Sequence, residues 1–280
     1  MMEPVTGSFQ NADSLNIHTI QWLPTASPKA IIVIVHGIAE HSGRYRHVAE
    51  YLAENGYAVY SLDHRGHGRS GGQPRSYFDS FDQPVADLKQ YVDAIAQEHP
   101  GAKIFLYGHS MGAFISLNFA MRYQDRLAGL ITSGSPLTID TTVPRFMMAI
   151  GNILVRIAPR LPLIKLDLQA ISRDQAVIDA YNADPLIDQT PVRVRMAVSY
   201  NNALKRLRAS LSELTLPLLL LHGSADTLAP VSGSEIIYEK AGSTDKTLKI
   251  YEGLYHEVHN ESEQAAVLQN AVHWLDARCA

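Results

Sequence analysis

The chain has 280 residues, of which 46% are hydrophobic and 19% charged, and its formal net charge is −4. These values are typical of a soluble globular protein, and the acidic balance argues against nucleic acid as the main partner because phosphate backbones need a basic surface. Cys279 is the only cysteine, so no intramolecular disulfide is possible, and we do not expect a thiol nucleophile. Residues 1–11 lack the pattern of a signal peptide, and no apolar run approaches the ~20 residues of a membrane span, so we expect a cytoplasmic protein.

Short apolar runs alternate with helical patterns along most of the chain. Strands are predicted at residues 30–35, 58–62, 104–107, 127–133, 216–222 and 247–251, and helices at about 44–55, 83–99, 114–120 and 261–277. This alternation predicts an α/β fold whose mostly parallel sheet is covered by helices on both faces. Ligands bind such sheets beyond the carboxyl ends of the strands, so those ends are where we look for a site.

Residues 136–202 interrupt the alternation. They contain no convincing strand, but they do contain apolar residues at helical spacing: Val143, Phe146, Met147, Ile150, Ile153, Leu154 and Ile157. Three arginines flank this stripe: Arg145, Arg156 and Arg160. We predict a helical cap inserted between two parts of one core, residues 1–135 and 203–280. The stripe either packs on the core or forms a lid whose apolar side meets lipid.

The most informative motif is Gly-His-Ser-Met-Gly at residues 108–112. It follows a predicted strand and precedes a predicted helix, which is the context of a nucleophile elbow. Its glycines let strand and helix approach closely, and the helix N-terminus directs partial positive charge at the serine. We therefore predict that Ser110 is a nucleophile.

A serine hydroxyl needs a base to take its proton and an acid to orient that base. In this strand order both follow the serine along the chain. Asp226 comes directly after the strand at 216–222 and is the predicted acid. His256 comes first after the last strand and is favoured as the base over His259, three residues further on.

Three other histidines and the oxyanion donors are interpreted from their positions in the sequence. His64 and His67 lie in a glycine-rich turn and are interpreted as structural, and His273 falls in the final helix. An oxyanion needs donors that are already in place, and the expected ones are the backbone N–H groups of Met111 and Ile38.

Longer motifs extend this picture over nearly the whole chain. They lie at His36–Tyr45, Asp63–Ser70, Gly108–Gly112, Tyr181–Leu186, His222–Asp226 and Leu248–His256. In these motifs the chain resembles the monoacylglycerol lipases of the α/β-hydrolase superfamily, within the wider S33 and lysophospholipase-like group. One departure is Ala113, where many members have a second glycine after the elbow.

The resemblance implies the α/β-hydrolase fold with a mobile, lipid-facing cap. It also implies the site residues: the triad Ser110, Asp226 and His256, the oxyanion donors Ile38 and Met111, and the glycerol contacts Glu40, Arg44, Tyr181 and His259. For Glu40 and Arg44, the alternative is a structural ion pair within the loop.

The expected activity is hydrolysis of monoacylglycerols to glycerol and fatty acid through an acyl-enzyme on Ser110, with no metal or organic cofactor. The expected partners are the lipid substrate and, through the cap, a membrane surface; the oligomeric state is left open. The alternatives are a lysophospholipase, a short-chain carboxylesterase, or a catalytically silent binding protein of the same fold. Epoxide hydrolases and dehalogenases are disfavoured because they have an aspartate at the elbow.

Overall fold

A central eight-stranded sheet organises the protein in a computed structural model that describes residues 3–137, 151 and 153–279. The strands of these residues are β1 (Val5–Gln10), β2 (Asn16–Trp22), β3 (Ile31–Val35), β4 (Ala58–Leu62), β5 (Ile104–His109), β6 (Gly129–Ser133), β7 (Pro162–Ile164), β8 (Val192–Arg193), β9 (Leu218–Gly223) and β10 (Lys246–Tyr251). The sheet order is β1-β2-β4-β3-β5-β6-β9-β10. β2 pairs antiparallel with β1 and β4, and all other neighbours are parallel.

Helices cover both faces of this sheet. The α-helices that lie wholly within the described residues are α1 (Arg46–Glu54), α2 (Asp82–Glu98), α3 (Met111–Tyr123), α4 (Gln175–Ala183), α5 (Val194–Ser210), α6 (Ser232–Lys240) and α7 (Gln264–Cys279). α1 and α7 pack on one face, and α2, α3, α5 and α6 on the other. Every residue of β3, β4, β5, β6 and β9 is buried, which is why these strands read as continuous apolar runs rather than as alternating ones.

The predicted α/β class and the mostly parallel sheet are confirmed, and each predicted strand lies within two residues of an observed one. The antiparallel pair β1 and β2 at one edge was not predicted. β1 is exposed along almost its whole length, so its sequence lacks the apolar alternation that marks a half-buried strand.

The prediction that residues 136–202 contain no strand is wrong. β7 and β8 form an antiparallel two-stranded ribbon in this segment. β7 has only three residues and all are exposed, so neither periodicity nor burial marks it in the sequence. Part of the predicted apolar stripe, residues 143–150, lies outside the described residues, whereas residues 153–157 are helical.

The described part of the segment between β6 and β9 packs over the carboxyl ends of the parallel strands. α5 runs without a break across residues 202 and 203 and packs against α3, where the Tyr200 ring lies 4.6 Å from that of Phe114. Tyr181, on α4, donates a hydrogen bond to the carbonyl of Ala39 in the loop after β3, with an O···O distance of 2.9 Å. This described part, called the roof segment below, therefore covers the strand ends at which the predicted site residues lie.

Candidate active site

Ser110 occupies the turn between β5 and α3. Its backbone angles are φ 52° and ψ −119°, a region that a residue with a side chain rarely adopts. The Ser110 N–H donates to the carbonyl of Ser133 on β6 at 2.9 Å, which holds the turn against the neighbouring strand. A Cβ atom at Gly112 would overlap the carbonyl oxygen of Val35, so glycine is required there for α3 to approach β3.

Asp226 and His256 form a buried pair beside this turn. Asp226 Oδ2 lies 2.7 Å from Nδ1 of His256. Asp226 Oδ1 accepts the N–H groups of Leu228 and Ala229, each at 2.9 Å, so the turn after β9 fixes the carboxylate. Because Nδ1 of His256 is bound to Asp226, its Nε2 is the nitrogen left for a substrate or a nucleophile. His256 and Ser110 line the same cavity.

The electrostatics of this pair favour an ionised acid and a basic imidazole. Burial alone would raise the pKa of the Asp226 carboxyl, but the charge of His256 and the surrounding hydrogen bonds hold that pKa well below its usual range. Burial disfavours the protonated form of His256, but the carboxylate of Asp226 outweighs this effect and raises the pKa of the imidazole. His256 therefore has the environment of a general base.

A second histidine contacts the same carboxylate and was not singled out from the sequence. Nε2 of His222 lies 3.1 Å from Asp226 Oδ2 and 2.7 Å from the carbonyl oxygen of Ala229, and its Nδ1 lies 2.7 Å from Oγ of Ser234. The sequence signal is its place in the same motif as Asp226, four residues earlier. His222 thus contacts the same carboxylate oxygen of Asp226 as His256 does.

The two predicted oxyanion donors, Ile38 and Met111, both line the cavity next to Ser110. Met111 is the first residue of α3, so its N–H has no partner within the helix. The loop that carries Ile38 is held on both sides of it. Gly37 N–H donates to Oε1 of Glu40 at 2.5 Å, and Ala39, with φ 57°, presents its carbonyl to Tyr181.

The residues assigned to the glycerol head group are brought together, but only two of them reach the cavity. Glu40 and Tyr181 line it. Arg44 lies behind them, where its Nη1 is 2.6 Å from Oε2 of Glu40 and its guanidinium carbon is 4.7 Å from the centre of the Tyr181 ring. The ion pair that the sequence left as an alternative for Glu40 and Arg44 is thus present, and Glu40 also faces the cavity.

His259 is also set back from the cavity. Its ring stacks on Tyr45 with 5.0 Å between centroids and meets His109 edge to face at 4.8 Å. Burial lowers the pKa of His259 to about 3, so it is neutral at physiological pH. The structure pairs His256 and not His259 with Asp226, as the sequence favoured.

Glu257 is the residue at this site that sequence reasoning missed most completely. Its carboxylate binds both terminal nitrogens of Arg44 at 2.7 Å, accepts from Nδ2 of Asn260 at 2.7 Å, and lines the cavity. The only local signal is its position next to His256, because its ion-pair partner lies far away in sequence.

The cavity in front of these groups has a volume of about 490 Å³. Apolar side chains of the core and of the segment between β6 and β9 form most of its wall, among them Phe81, Leu154, Leu163, Leu168, Val194 and Met196. A large apolar chamber with a few polar groups at one end fits a ligand that has a long hydrocarbon part and a small polar head.

Comparison with known proteins decides the family. The family described as serine aminopeptidase, S33, matches residues 26–263. The monoacylglycerol lipase of Mycolicibacterium smegmatis is 37% identical over 268 residues, covering 96% of this chain and 95% of that protein. The monoglyceride lipase of Homo sapiens is 38% identical over 274 residues, with 96% and 90% covered. This chain belongs to the monoglyceride lipase family.

The crystal structure of the monoacylglycerol lipase of Paleococcus ferrophilus supports this placement. It is 29% identical in sequence and superimposes with a TM-score of 0.81, covering 99% of this chain and all of that chain. The resemblance inferred from the motifs, and the α/β-hydrolase fold that it implied, are thereby confirmed. Members of the monoglyceride lipase family are carboxylic ester hydrolases, and this chain is therefore one of them.

Proposed function

We propose that this protein hydrolyses monoacylglycerols to glycerol and free fatty acid through an acyl-enzyme on Ser110. The observation that carries the proposal is that Ser110 and the pair His256–Asp226 stand at the polar end of a deep apolar cavity. Family membership adds the substrate class, since the relatives named above are monoacylglycerol lipases. An intact nucleophile, base and acid argue against a silent binding protein.

In the proposed mechanism the Ser110 hydroxyl attacks the ester carbonyl while Nε2 of His256 takes its proton. The negative oxygen of the tetrahedral intermediate accepts hydrogen bonds from the N–H groups of Ile38 and Met111. His256 then gives its proton to the departing glycerol oxygen. Water attacks the acyl-enzyme with His256 again as base, which releases the fatty acid and restores the serine. Asp226 keeps His256 in the required tautomer throughout.

At the head-group end, Glu40 and Tyr181 are the proposed glycerol contacts because both line the cavity beside the catalytic groups. Arg44 contacts both of them from behind, and His259 stacks on Tyr45, whose hydroxyl donates to Glu40. The acyl chain extends into the apolar part of the cavity, beneath the cap at residues 136–202 that we propose.

A panel of esters that share one acyl chain tests the substrate class. A monoacylglycerol, a diacylglycerol and lysophosphatidylcholine are compared by kcat/KM, with p-nitrophenyl butyrate as a small reference ester. Preference for the monoacylglycerol supports the proposal. Faster cleavage of lysophosphatidylcholine would identify a lysophospholipase, and cleavage of the small ester alone would identify a short-chain carboxylesterase.

The pH dependence of kcat/KM reports on His256. Its imidazole must be neutral to accept the serine proton, and its pKa is raised by Asp226, so activity is expected to fall as the pH drops through a midpoint above about 6.5. A pH series on p-nitrophenyl butyrate, which carries no charge, measures this midpoint. A profile that stays flat down to about pH 4 would contradict the role of His256.

The cap also has an exposed apolar face that we assign to membrane contact. Ile153 and Ile157 are 62% and 74% exposed, and Leu161, Leu163 and Ile164 are exposed beside them. Three exposed basic residues lie among these positions in the sequence: Arg156, Arg160 and Lys165. Apolar side chains bordered by basic ones are the pattern of a surface that rests on an anionic bilayer. Among the described residues, no helix is long and apolar enough to cross a membrane.

Replacing both Ile153 and Ile157 with glutamate is expected to lower binding to vesicles with anionic lipid about tenfold or more, because the substitution removes apolar area that the bilayer would bury and adds negative charge that the anionic lipid repels. Cleavage of p-nitrophenyl butyrate should change little, since neither side chain lines the cavity. Ile250→Glu, on the exposed edge strand β10, is the matched control. An equal loss of vesicle binding in the control would show that membrane contact does not depend on the cap.

A further inference from the structure

Two carboxyl groups share one arginine in the wall of the cavity. Nη1 of Arg44 lies 2.6 Å from Oε2 of Glu40 and 2.7 Å from Oε1 of Glu257, and Nη2 lies 2.7 Å from Oε2 of Glu257. All three side chains are almost completely buried. The two glutamates face the cavity, and the arginine lies behind them.

The balance of charge in this cluster is never positive. Burial would raise the pKa of Glu257, but the guanidinium of Arg44 outweighs burial and lowers it, so Glu257 is ionised. Burial and the charge of Glu257 raise the pKa of Glu40 against the effect of Arg44. The cluster therefore has a net charge of −1 when Glu40 is ionised and of zero when it is protonated.

On the cavity side, no lysine or arginine of the described wall offsets this charge. Among the described residues that line the cavity there is no lysine or arginine, and the two glutamates are the only carboxylates. Charge interactions are strong in a site that excludes water. A glycerol hydroxyl can donate to a carboxylate there, whereas a phosphate group would lose its hydration without gaining a cation.

The position of Glu257 is fixed independently of any ligand. Its backbone N–H donates to the carbonyl of Ile171 in the roof segment at 2.8 Å, and Asn260 donates to its carboxylate. Without this second carboxylate, Arg44 would be balanced by Glu40 alone. Loss of the Glu257 charge thus makes the charge that a head group meets more positive by one unit, from −1 to zero when Glu40 is ionised and from zero to +1 when it is protonated.

We propose that Glu257 is a specificity-determining residue: by balancing Arg44, its carboxylate lets the head-group end of the cavity accept uncharged glycerol and reject a phosphate-bearing head group. This inference rests on the proposed function, because it concerns which lysolipid reaches Ser110. It assigns Glu257 a role in the choice of substrate rather than in bond cleavage.

The test is Glu257→Gln, which keeps the shape of the side chain and removes its charge. We compare kcat/KM for a 1-acylglycerol 3-phosphate with that for the monoacylglycerol of the same acyl chain. This ratio is expected to rise about tenfold or more over that of wild type. A change of this size is what the loss of one unit charge causes when the phosphate lies several ångströms away and the effective dielectric constant is ~20. Glu257→Asp retains the charge and should keep the ratio near that of wild type.

A second measurement separates this role from a structural one. The charge of Glu257 is among those that raise the pKa of His256. The acidic limb of monoacylglycerol hydrolysis should therefore move to lower pH in Glu257→Gln and stay in place in Glu257→Asp. Loss of packing alone would not shift this limb.

Glu261→Gln is the matched control, because Glu261 is a buried carboxylate on the same loop that pairs with Arg173 and does not line the cavity. An unchanged ratio in folded Glu257→Gln, or an equal rise in the control, overturns the inference. If wild type cleaves p-nitrophenyl butyrate but no monoacylglycerol, the proposed function itself fails. If wild type cleaves monoacylglycerol but the kcat/KM ratio is unchanged in Glu257→Gln, the inference about Glu257 is wrong and the proposed function stands.

Discussion

Replacing Ser110 with alanine is expected to lower kcat for monoacylglycerol hydrolysis by about 10⁵- to 10⁶-fold, the loss typical when the nucleophile of a serine hydrolase is removed. Ser110 is the only serine, threonine or cysteine among the described residues that line the cavity, and the only cysteine of the chain lies at position 279. Alanine fits the same backbone angles about as well as serine, so the fold should persist. Steady-state rates and labelling by a fluorophosphonate probe measure the effect.

Ser116→Ala is the control for this substitution. Ser116 lies on α3, less than two turns after Ser110, and its buried hydroxyl has no hydrogen-bond partner among the described residues. Its loss should therefore leave both activity and labelling near those of wild type. Retention of more than about 1% of activity in Ser110→Ala would mean that ester cleavage does not proceed through this serine.

Replacing Asp226 with asparagine is expected to lower kcat about 10⁴-fold. The amide can still accept the N–H groups of Leu228 and Ala229 through one oxygen, which preserves the turn. Its NH₂ group then donates to Nδ1 of His256, so the imidazole proton moves to Nε2 and the base can no longer accept from Ser110. A stopped or continuous ester assay on purified, folded protein measures the loss.

Asp174→Asn serves as the comparison for Asp226→Asn. Asp174 likewise accepts a backbone N–H, that of Ala176, at the start of α4, and asparagine caps a helix about as well as aspartate. We expect no more than a small change in its activity. A loss below about 100-fold in Asp226→Asn would show that the His256 tautomer does not depend on this carboxylate.

The positions of the proposed catalytic groups could be predicted because each lies in a local motif at the end of a parallel strand. The glycines around Ser110 encode the tight turn, and the strand before Asp226 is buried along its whole length. Topology then brings the ends of β5 and β9 to one edge of the sheet, one strand apart. Sequence order and strand direction were thus sufficient to place Ser110, Asp226 and His256 near one another.

The polar wall behind the head group could not be predicted in this way. Arg44 and Glu257 are 213 positions apart, and a surface glutamate would look the same in the sequence. The motif around Glu40 and Arg44 identified two members of the cluster but not which of them reaches the cavity. That depends on how the loop after β3 packs against the loop after β10, which is a property of the tertiary fold.

The secondary structure of the segment between β6 and β9 could not be predicted from the sequence either. The β7–β8 ribbon consists of three exposed residues paired with two others, and its pairing depends on residues about thirty positions apart. No hydrophobic periodicity marks such short strands. The break in the α/β alternation revealed that a segment is inserted between β6 and β9, but not what that segment is made of.

The central claim is that a monoacylglycerol transfers its acyl group to Ser110. The most direct measurement is to mix wild-type enzyme with monooleoylglycerol, quench within milliseconds and map the digested protein by mass spectrometry. The account predicts an oleoyl group on the peptide that contains Ser110, matched by one equivalent of glycerol, and no such adduct in Ser110→Ala. Glycerol release without acylation of that peptide, or an adduct that persists in Ser110→Ala, would contradict it.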